Sequence, residues 1–250
     1  MISRRTFLAT AAVAQGQSKT LVVDAHCHAG RGTGMSAPWT TRADVEVTLR
    51  HMAEAGIDRT VIFPINNTDY EKPNQEIAEI CGKYPGKFFG FAKHDPQTEA
   101  GKIRGLLKKE VAGLGLKGLK LHRLPTREVL DVVAELGIPI LYHPEKVSNF
   151  NLIAAEYPQI PFVMAHLGNF ASRDWTEHVA AIDVARRYPN VYLETSSVVF
   201  FQFLERAARE LGAGKLIFGT DGPELDSRVE LYKIKLLKLA PAEEAKVVGG

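Results

Sequence analysis

Histidines and one aspartate stand at the ends of short hydrophobic runs in this sequence. His26 and His28 end the first run, His143 and His166 end two later runs, and Asp221 follows the last one. Imidazole nitrogens and a carboxylate oxygen form a ligand set that suits zinc, manganese or iron. A lone His-x-His pair is a weak signal, but the whole set at equivalent strand ends predicts a divalent metal centre.

The alternation of side chains along a strand decides which neighbours can share that centre. Residues two positions apart point to the same face of a strand. His26 and His28 therefore face one way and Cys27 the other. Cys27 is expected to be a thiol packed against helices rather than a ligand. The same period places Lys120 and His122 on one side of their run.

Some of these histidines have simpler interpretations. Any one histidine at a strand end could be a core residue with a hydrogen-bonded partner, although every member of the set would then need such a partner. His94 precedes the turn signal Asp95-Pro96, which predicts a supporting role rather than ligation. His51 and His178 fall on helical stretches and are expected at the surface.

Eight hydrophobic runs carry the polar residues. Each run is short, rich in Val, Ile, Leu or Phe and nearly continuous, as expected of strands that are buried on both faces. The runs are Leu21–His28, Arg59–Ile65, Phe88–His94, Leu116–His122, Ile138–His143, Pro161–His166, Asn190–Ser196 and Lys215–Thr220.

Stretches with helical periodicity separate the runs. They are Ala43–Ala55, Asn74–Tyr84, Gln97–Val111, Thr126–Leu136, Asn151–Tyr157, Glu177–Tyr188, Phe200–Leu211 and Asp226–Leu239. This alternation predicts an α/β protein with a closed parallel (β/α)8 TIM barrel over residues 19–250, and an open doubly wound sheet is the rival arrangement. The C-terminal strand ends of such a barrel form its active-site face, so the polar residues should converge there.

Length and composition agree with one soluble barrel. The chain has 250 residues, 45% of them hydrophobic and 24% charged. Its 31 basic and 29 acidic residues leave a net charge of +2, which gives no support to a nucleic-acid or membrane-surface role. No run approaches the roughly 18 apolar residues of a membrane span. Two distant cysteines do not make a disulfide framework.

The first residues form a separate segment. Arg4 and Arg5 precede a short apolar stretch that ends in the small-x-small sequence Ala12-Val13-Ala14. This pattern predicts a twin-arginine export signal over residues 1–18 and a periplasmic or other extracytoplasmic location. The alternative is a disordered basic tail on a cytoplasmic protein.

The strand-end motifs, taken in order, resemble the amidohydrolase superfamily. They are Asp24-Ala25-His26-Cys27-His28, Leu119-Lys120-Leu121-His122, His143, His166-Leu167-Gly168-Asn169 and Gly219-Thr220-Asp221. More narrowly, they are similar to its amidohydrolase-2 branch, which includes aminocarboxymuconate semialdehyde decarboxylase. The resemblance implies that His26, His28, His143 and Asp221 bind the metal, with Zn²⁺ expected and Mn²⁺ or Fe²⁺ as alternatives.

The resemblance also implies an enzyme with a small-molecule substrate, and it leaves the reaction open. In the hydrolase interpretation, the metal acidifies a water that attacks an amide, ester or lactone. Asp221 accepts the proton of this water, and His166 stabilises the developing oxyanion. A non-oxidative decarboxylase on the same ligands is the first alternative. A catalytically inactive barrel that only binds a small molecule is the second.

The remaining candidates are substrate contacts. Arg31 or Arg123 could bind a substrate carboxylate in a two-pronged contact, although each could equally be an exposed loop charge. Asn169 and His122 stand at two other strand ends. Members of the branch usually use one metal, so Lys120 is expected to stay charged and to pair with Asp24 or hold substrate rather than bridge two ions. The resemblance further implies a homodimer.

Overall fold

The structure is a computed structural model that describes residues 20–32 and 42–249, so the predicted export segment lies outside the described residues. The strands are β1 (Val23–Arg31), β2 (Arg42–Ala43), β3 (Arg59–Pro64), β4 (Phe88–Gly90), β5 (Ala92–Lys93), β6 (Leu119–Leu121), β7 (Ile140–Tyr142), β8 (Phe162–Met164), β9 (Val191–Glu194) and β10 (Leu216–Ile217). The α-helices are α1 (Val45–Ala55), α2 (Glu71–Lys83), α3 (Ile103–Leu114), α4 (Arg127–Leu136), α5 (Asn151–Glu156), α6 (Trp175–Arg187), α7 (Gln202–Leu211), α8 (Ser227–Leu236) and α9 (Pro241–Gly249).

Parallel pairing joins consecutive runs of the chain. One sheet has the order β10-β9-β8-β7-β6-β5, and the other has the order β2-β1-β3-β4 with only β2 antiparallel. β4 and β5 are two halves of one predicted run, separated by Phe91. The Phe91 N–H donates to Ile62 O at 2.9 Å on one side, and the Ala92 N–H donates to Gly118 O at 2.9 Å on the other. The two sheets are therefore continuous at this point.

Backbone hydrogen bonds also join the first and last strands. The Ala25 N–H donates to Phe218 O at 3.0 Å, and the His28 N–H donates to Gly222 O at 2.6 Å. Cys27 and Gly222 form a parallel bridge between them. The eight predicted runs thus form the predicted (β/α)8 barrel, and the open doubly wound sheet is excluded.

The alternation of side chains along the strands divides the buried hydrophobic residues into two clusters, one small and one large. Phe63, Leu141 and Ala165 belong to a small cluster. Ile62 and Cys27 belong to the large cluster. The Cys27 Sγ lies 3.7 Å from the Thr48 Oγ1 of α1, so the prediction that this thiol points toward the helices is confirmed.

Two elements and one burial assignment differ from the sequence prediction. β2 is too short to give a periodic signal. α9 has only Val247 and Val248 as buried residues, which is too little for a recognisable apolar stripe. The prediction of a surface position for His178 was wrong: this side chain is buried, with Nδ1 2.9 Å from Leu167 O and Nε2 2.8 Å from the Ser172 Oγ. His51 is half-buried.

None of the helices in the described part of the chain is long and apolar enough to cross a membrane.

Candidate metal centre

Five histidines from four strand ends meet at the carboxyl face of the barrel. His26 and His28 stand in β1, and their ring centroids lie 5.7 Å apart. The ring of His166, just after β8, lies 4.9 Å from that of His26 and 4.6 Å from that of His143. His122 lies 5.1 Å from His143 and 6.4 Å from His28. The expected convergence therefore occurs, and it includes His122.

Asp221 adds the carboxylate to this group. Its Oδ1 lies 3.1 Å from the His26 Nε2 and 3.2 Å from the His28 Nε2. The ligand atoms of His26, His166 and Asp221 all lie within 4.8 Å of one another. Two imidazole nitrogens and one carboxylate oxygen suit a borderline divalent ion. These residues therefore fit a metal, and His166 joins the group as a candidate ligand.

The other two predicted ligands lie around this group. His28 is bonded to Asp221, and its Nδ1 is buried without a hydrogen-bond partner. His143 is half-buried and packs its ring edge-on against His166. The full ligand set that the sequence predicts, which includes His28 and His143, stays a prediction.

A buried glutamate that the sequence interpretation missed holds the histidines in place. The Glu194 Oε2 at the end of β9 lies 2.9 Å from the His26 Nδ1 and accepts the His166 N–H at 3.1 Å. The Ser196 Oγ donates to the same oxygen at 2.9 Å. A carboxylate on Nδ1 leaves the Nε2 of His26 available to a cation, as is usual behind metal-bound histidines. A charged residue directly after the hydrophobic residues 191–193 was the signal that could have revealed Glu194.

Glycine at position 219 makes room for this glutamate. A Cβ at Gly219 would lie 2.4 Å from the Glu194 Oε1 and 2.9 Å from the His26 Cβ. Contacts this short exclude any larger residue unless the carboxylate moves. Gly219 of the Gly-Thr-Asp motif is therefore required by the close packing of Glu194 and His26.

Two members of the group have a strained backbone. His166 has a φ of 56° and Asp221 a φ of 52°, both in the left-handed region. Such conformations are costly for residues with a Cβ and persist only where surrounding contacts enforce them. For His166 those contacts are the Glu194 carboxylate and the Ser196 Oγ, which lies 3.0 Å from its Nδ1. With these backbone conformations, the ligand atoms of both residues lie within 4.8 Å of each other.

Burial and neighbouring charges set the protonation states of the group. Burial lowers the pKa of His28 to about 4 and that of His143 to about 3, and it lowers the pKa of His166 well below its usual value. Burial raises the pKa of Asp221, but His26 and His166 outweigh this effect and hold it well below its usual value. Neutral imidazoles and an ionised carboxylate are the metal-binding forms of these side chains.

The pKa of His26 is shifted in the opposite direction from the pKa values of the other histidines in the group. Burial and the charge of Lys120 lower its pKa, but Asp221 and Glu194 outweigh them, so its pKa is raised overall. Glu194 shows the matching effect: burial raises its pKa, but the His26 charge and hydrogen bond lower it to about 2. The two carboxylates beside His26 therefore make this position favourable for positive charge.

Lys120 lies beside this group. The expected pairing of Lys120 with Asp24 does not occur. Its Nζ lies 3.3 Å from the His26 Nε2 and 5.1 Å from the centre of the Phe63 ring. The two oxygens of Asp24 instead accept the Thr220 Oγ1–H at 2.7 Å and the Thr220 N–H at 2.9 Å. Burial lowers the pKa of Lys120 to about 8. Its position is compatible with holding substrate next to His26.

The predicted substrate contacts have different positions. Arg123 is half-exposed at the rim of the barrel mouth, where its guanidinium lies 3.4 Å from the Asp95 Oδ2 and 3.7 Å from the Glu145 Oε1. Arg31 is exposed, and its backbone N–H donates to the Glu76 Oε2 at 3.1 Å. The Asn169 Oδ1 accepts the Asp174 N–H at 2.8 Å, so this side chain shapes the loop before α6.

His94 forms a separate buried ion pair near the barrel mouth. Its Nδ1 lies 3.1 Å from the Glu99 Oε2, and its Nε2 lies 2.8 Å from the Glu110 Oε2 of α3. Burial lowers the pKa of His94, but its hydrogen bonds to Glu110 and Glu99 outweigh this effect and raise it to about 9. This agrees with the supporting role that the sequence predicts.

The His94 ion pair predicts a specific dependence of stability on pH. Because the pKa of His94 is higher in the folded than in the unfolded protein, its contribution is complete below about pH 6.5 and is lost as the pH rises through about 9. We expect the free energy of unfolding to fall across that window by on the order of 3 kcal/mol more in the wild type than in His94→Gln. Urea denaturation at pH 6, 7.5 and 9.5, roughly spanning the window, measures this difference. Parallel curves for the two proteins would contradict it.

The barrel and the histidine–aspartate group define the class: a (β/α)8 barrel with a candidate divalent-metal site at its mouth. A sequence model of the amidohydrolase family matches residues 23–250. The chain therefore belongs to the amidohydrolase family, and it is an enzyme by that membership. Comparison with curated protein sequences gives no match.

Solved structures show the same fold with different reactions. A 5-carboxyvanillate decarboxylase from Sphingomonas paucimobilis has a TM-score of 0.73 at 15% identity, over 92% of this chain and 97% of that one. A probable 2-pyrone-4,6-dicarboxylic acid hydrolase from Acinetobacter baumannii has a TM-score of 0.67 at 16% identity, over 91% and 96%. An amidohydrolase from Burkholderia multivorans with bound zinc has a TM-score of 0.75 at 15% identity, over 92% and 96%. At these identities the likeness establishes the fold.

Proposed function

We propose that this chain is a metal-dependent hydrolase that acts on an amide, ester or lactone of a small molecule. The observation that carries the proposal is the group of His26, His166 and Asp221, with ligand atoms within 4.8 Å of one another. A divalent ion bound there, with Zn²⁺ expected first, supplies an acidified water as the nucleophile at neutral pH. The zinc in the related Burkholderia barrel supports the choice of ion.

Asp221 is the residue best placed to move a proton. Its carboxylate is ionised, and its Oδ1 lies between the Nε2 atoms of His26 and His28 at 3.1 and 3.2 Å. An ionised carboxylate at the reacting centre can accept a proton and return it to a leaving group. His166 is fixed by Ser196 through its Nδ1, which leaves its Nε2 for the cation or for a substrate oxygen. Lys120, with its Nζ 3.3 Å from the His26 Nε2, can hold a substrate oxygen.

A panel of small substrates tests the proposal. We expect the zinc-loaded protein to hydrolyse at least one lactone, ester or amide and to incorporate one ¹⁸O atom from labelled water into the product. Asp221→Asn should lower kcat by at least about 100-fold, because it removes the proton acceptor. Asp183→Asn is the matched control, because Asp183 lies in the exposed part of α6 and pairs with Arg186.

Other outcomes would favour the alternatives. Release of carbon dioxide from an aromatic or enoic acid, with no ¹⁸O incorporation, would contradict hydrolysis and identify a decarboxylase. The fold supports both reactions, since barrels of both kinds are similar to this chain. Metal content below about a tenth of an equivalent, with no uptake of added Zn²⁺, Mn²⁺ or Fe²⁺, would leave only the inactive binding barrel.

Export is proposed separately from the reaction. It is supported by Arg4, Arg5 and the small-x-small sequence that follows them. Twin-arginine export carries folded proteins, which would suit an enzyme that acquires its metal before it leaves the cytoplasm.

A further inference from the structure

A pocket opens on the carboxyl face of the barrel, beside the candidate metal centre. It has a volume of about 260 Å³ and lies over the ends of β3, β5, β6 and β7. His122 is part of its wall and stacks on His28 at 6.4 Å, so the pocket borders the candidate metal centre. A small molecule that reaches into this pocket can therefore also reach the histidine group.

Lys93 is a deeply buried basic side chain in the wall of this pocket. It is 1% exposed, whereas the side chain of Arg123 at the rim is 45% exposed. The Lys93 Nζ donates to the Asn66 Oδ1 at 2.7 Å and to Pro64 O at 3.2 Å, and it lies 5.6 Å from the centre of the Tyr70 ring. Because an ammonium has three N–H groups, one donor of Lys93 is left for a ligand.

The backbone of Lys93 is held rigidly. Its N–H donates to the Asn74 Oδ1 at 2.9 Å, and its carbonyl accepts the Asn74 Nδ2–H at 3.2 Å. Asn74 is fully buried and also donates to the Glu110 Oε1 at 2.8 Å. These contacts fix the position from which the lysine side chain enters the pocket, so a ligand would meet a preorganised donor.

Within the described chain, Lys93 has no carboxylate at ion-pair distance. The other cations of the pocket are neutralised, since Arg123 contacts Asp95 and Glu145, and His94 contacts two glutamates. Burial and the charge of Lys120 lower the pKa of Lys93 well below its usual value, and the charge of Asp221 offsets this only in part, so a bound anion would stabilise the protonated amine. The His122 Nδ1 is a second buried polar atom of the same wall with no hydrogen-bond partner.

We propose that this pocket is a carboxylate subsite, in which a carboxylate of the substrate accepts a hydrogen bond from the Lys93 Nζ. The bound anion supplies the counter-ion that Lys93 lacks, while another part of the same molecule reaches the histidine group. The proposal rests on the proposed function only in taking this ligand to be the substrate. The subsite restricts the proposed substrates to amides, esters and lactones that carry a carboxylate at a distance from the bond that reacts.

Binding to the metal-free protein tests the subsite separately from the reaction. The probes are benzoate and its uncharged analogue benzamide, titrated calorimetrically into protein treated with a chelator. We expect the wild type to bind benzoate and to bind benzamide at least about tenfold more weakly. Lys93→Met keeps the length of the side chain but removes its charge, and it should weaken benzoate binding by about 10- to 100-fold.

Two further variants keep the test decisive if Lys93→Met is unstable. Asn66→Asp places a carboxylate 2.7 Å from the Lys93 Nζ, so it should retain the fold but lose benzoate binding. Arg104→Gln on α3 should bind benzoate within about threefold of the wild type, because Arg104 is exposed, pairs with Glu135 at 2.8 Å and lies outside the pocket wall.

Several results would overturn the proposal. These are equal benzoate affinity in the wild type and Lys93→Met, binding of inorganic phosphate without binding of benzoate, and borohydride trapping of pyruvate on Lys93 with no binding of benzoate. The last result would identify Lys93 as an imine-forming amine. A failure of the metal-loaded enzyme on every hydrolytic substrate would refute the proposed function and leave the benzoate result intact.

Discussion

The double variant His26→Ala/His28→Ala is expected to lose metal binding altogether. Both imidazoles lie next to the Asp221 carboxylate at 3.1 and 3.2 Å, so their removal leaves no nitrogen from β1 in the group. After purification without chelators and loading with zinc, the wild type should contain about one equivalent by elemental analysis, and the double variant less than about a tenth.

Cys27→Ala is the control for this result. Cys27 lies between the two histidines in sequence, but its Sγ contacts the Thr48 Oγ1 of α1 at 3.7 Å on the other face of the strand. The variant should keep a full equivalent of zinc and lose on the order of 1 kcal/mol of stability from the small cavity. Loss of zinc in Cys27→Ala would refute the assignment of strand faces, and retention of zinc in the double variant would refute the assignment of the two histidines as ligands.

Glu194→Gln is expected to lower the affinity for zinc by about 10- to 100-fold. Every group around this carboxylate is a donor, including the His166 N–H and the Ser196 Oγ–H. A glutamine would direct an N–H₂ group at one of these donors and disturb the tautomer of His26. Competition with a chromophoric chelator measures the affinity, and ¹⁵N chemical shifts of the His26 ring report the tautomer.

Glu230→Gln is the control that separates an effect on the position of the metal ligands from a loss of stability of the barrel. Glu230 is also a buried glutamate, and its Oε2 accepts the Ser197 N–H at 3.1 Å without touching a candidate ligand. Both variants should be destabilised, but Glu230→Gln should bind zinc within about threefold of the wild type. Equal losses of zinc affinity in the two variants would show that Glu194 acts only on the stability of the barrel.

The fold and the main residues of the site could be predicted because their signals are local. The period of two along β1 places His26 and His28 on one face and Cys27 on the other, without reference to the rest of the chain. Continuous hydrophobic runs that alternate with helical stretches predict a parallel sheet and favour a barrel over an open doubly wound sheet, and barrel geometry brings the strand ends together. The convergence of the histidines with Asp221 follows from these two facts alone.

The contacts behind the histidines could not be predicted because they depend on long-range packing. Glu194 reaches His26 across 168 positions, and nothing near either residue indicates which strands carry the partner. Asp24 illustrates the same problem, since it bonds Thr220 instead of the expected Lys120. The burial of His178 depends on how α6 packs on the loop after β8. The left-handed backbone of His166 and Asp221 likewise depends on tertiary contacts, since neither residue type indicates it.

The first and last strands of the barrel, β1 and β10, meet at the candidate metal site. We call this contact the seam, and it links metal binding to the completion of folding. His28 and Asp221 are 193 positions apart, yet they meet where the first and last strands of the barrel join. A chain that has not yet folded its final strand has the histidines but lacks the acid, so its candidate ligand set is incomplete. A tightly bound ion would link the two ends of the fold and oppose the opening of the barrel at this seam. Metal occupancy would therefore report that the whole barrel, and not only its first strands, has closed.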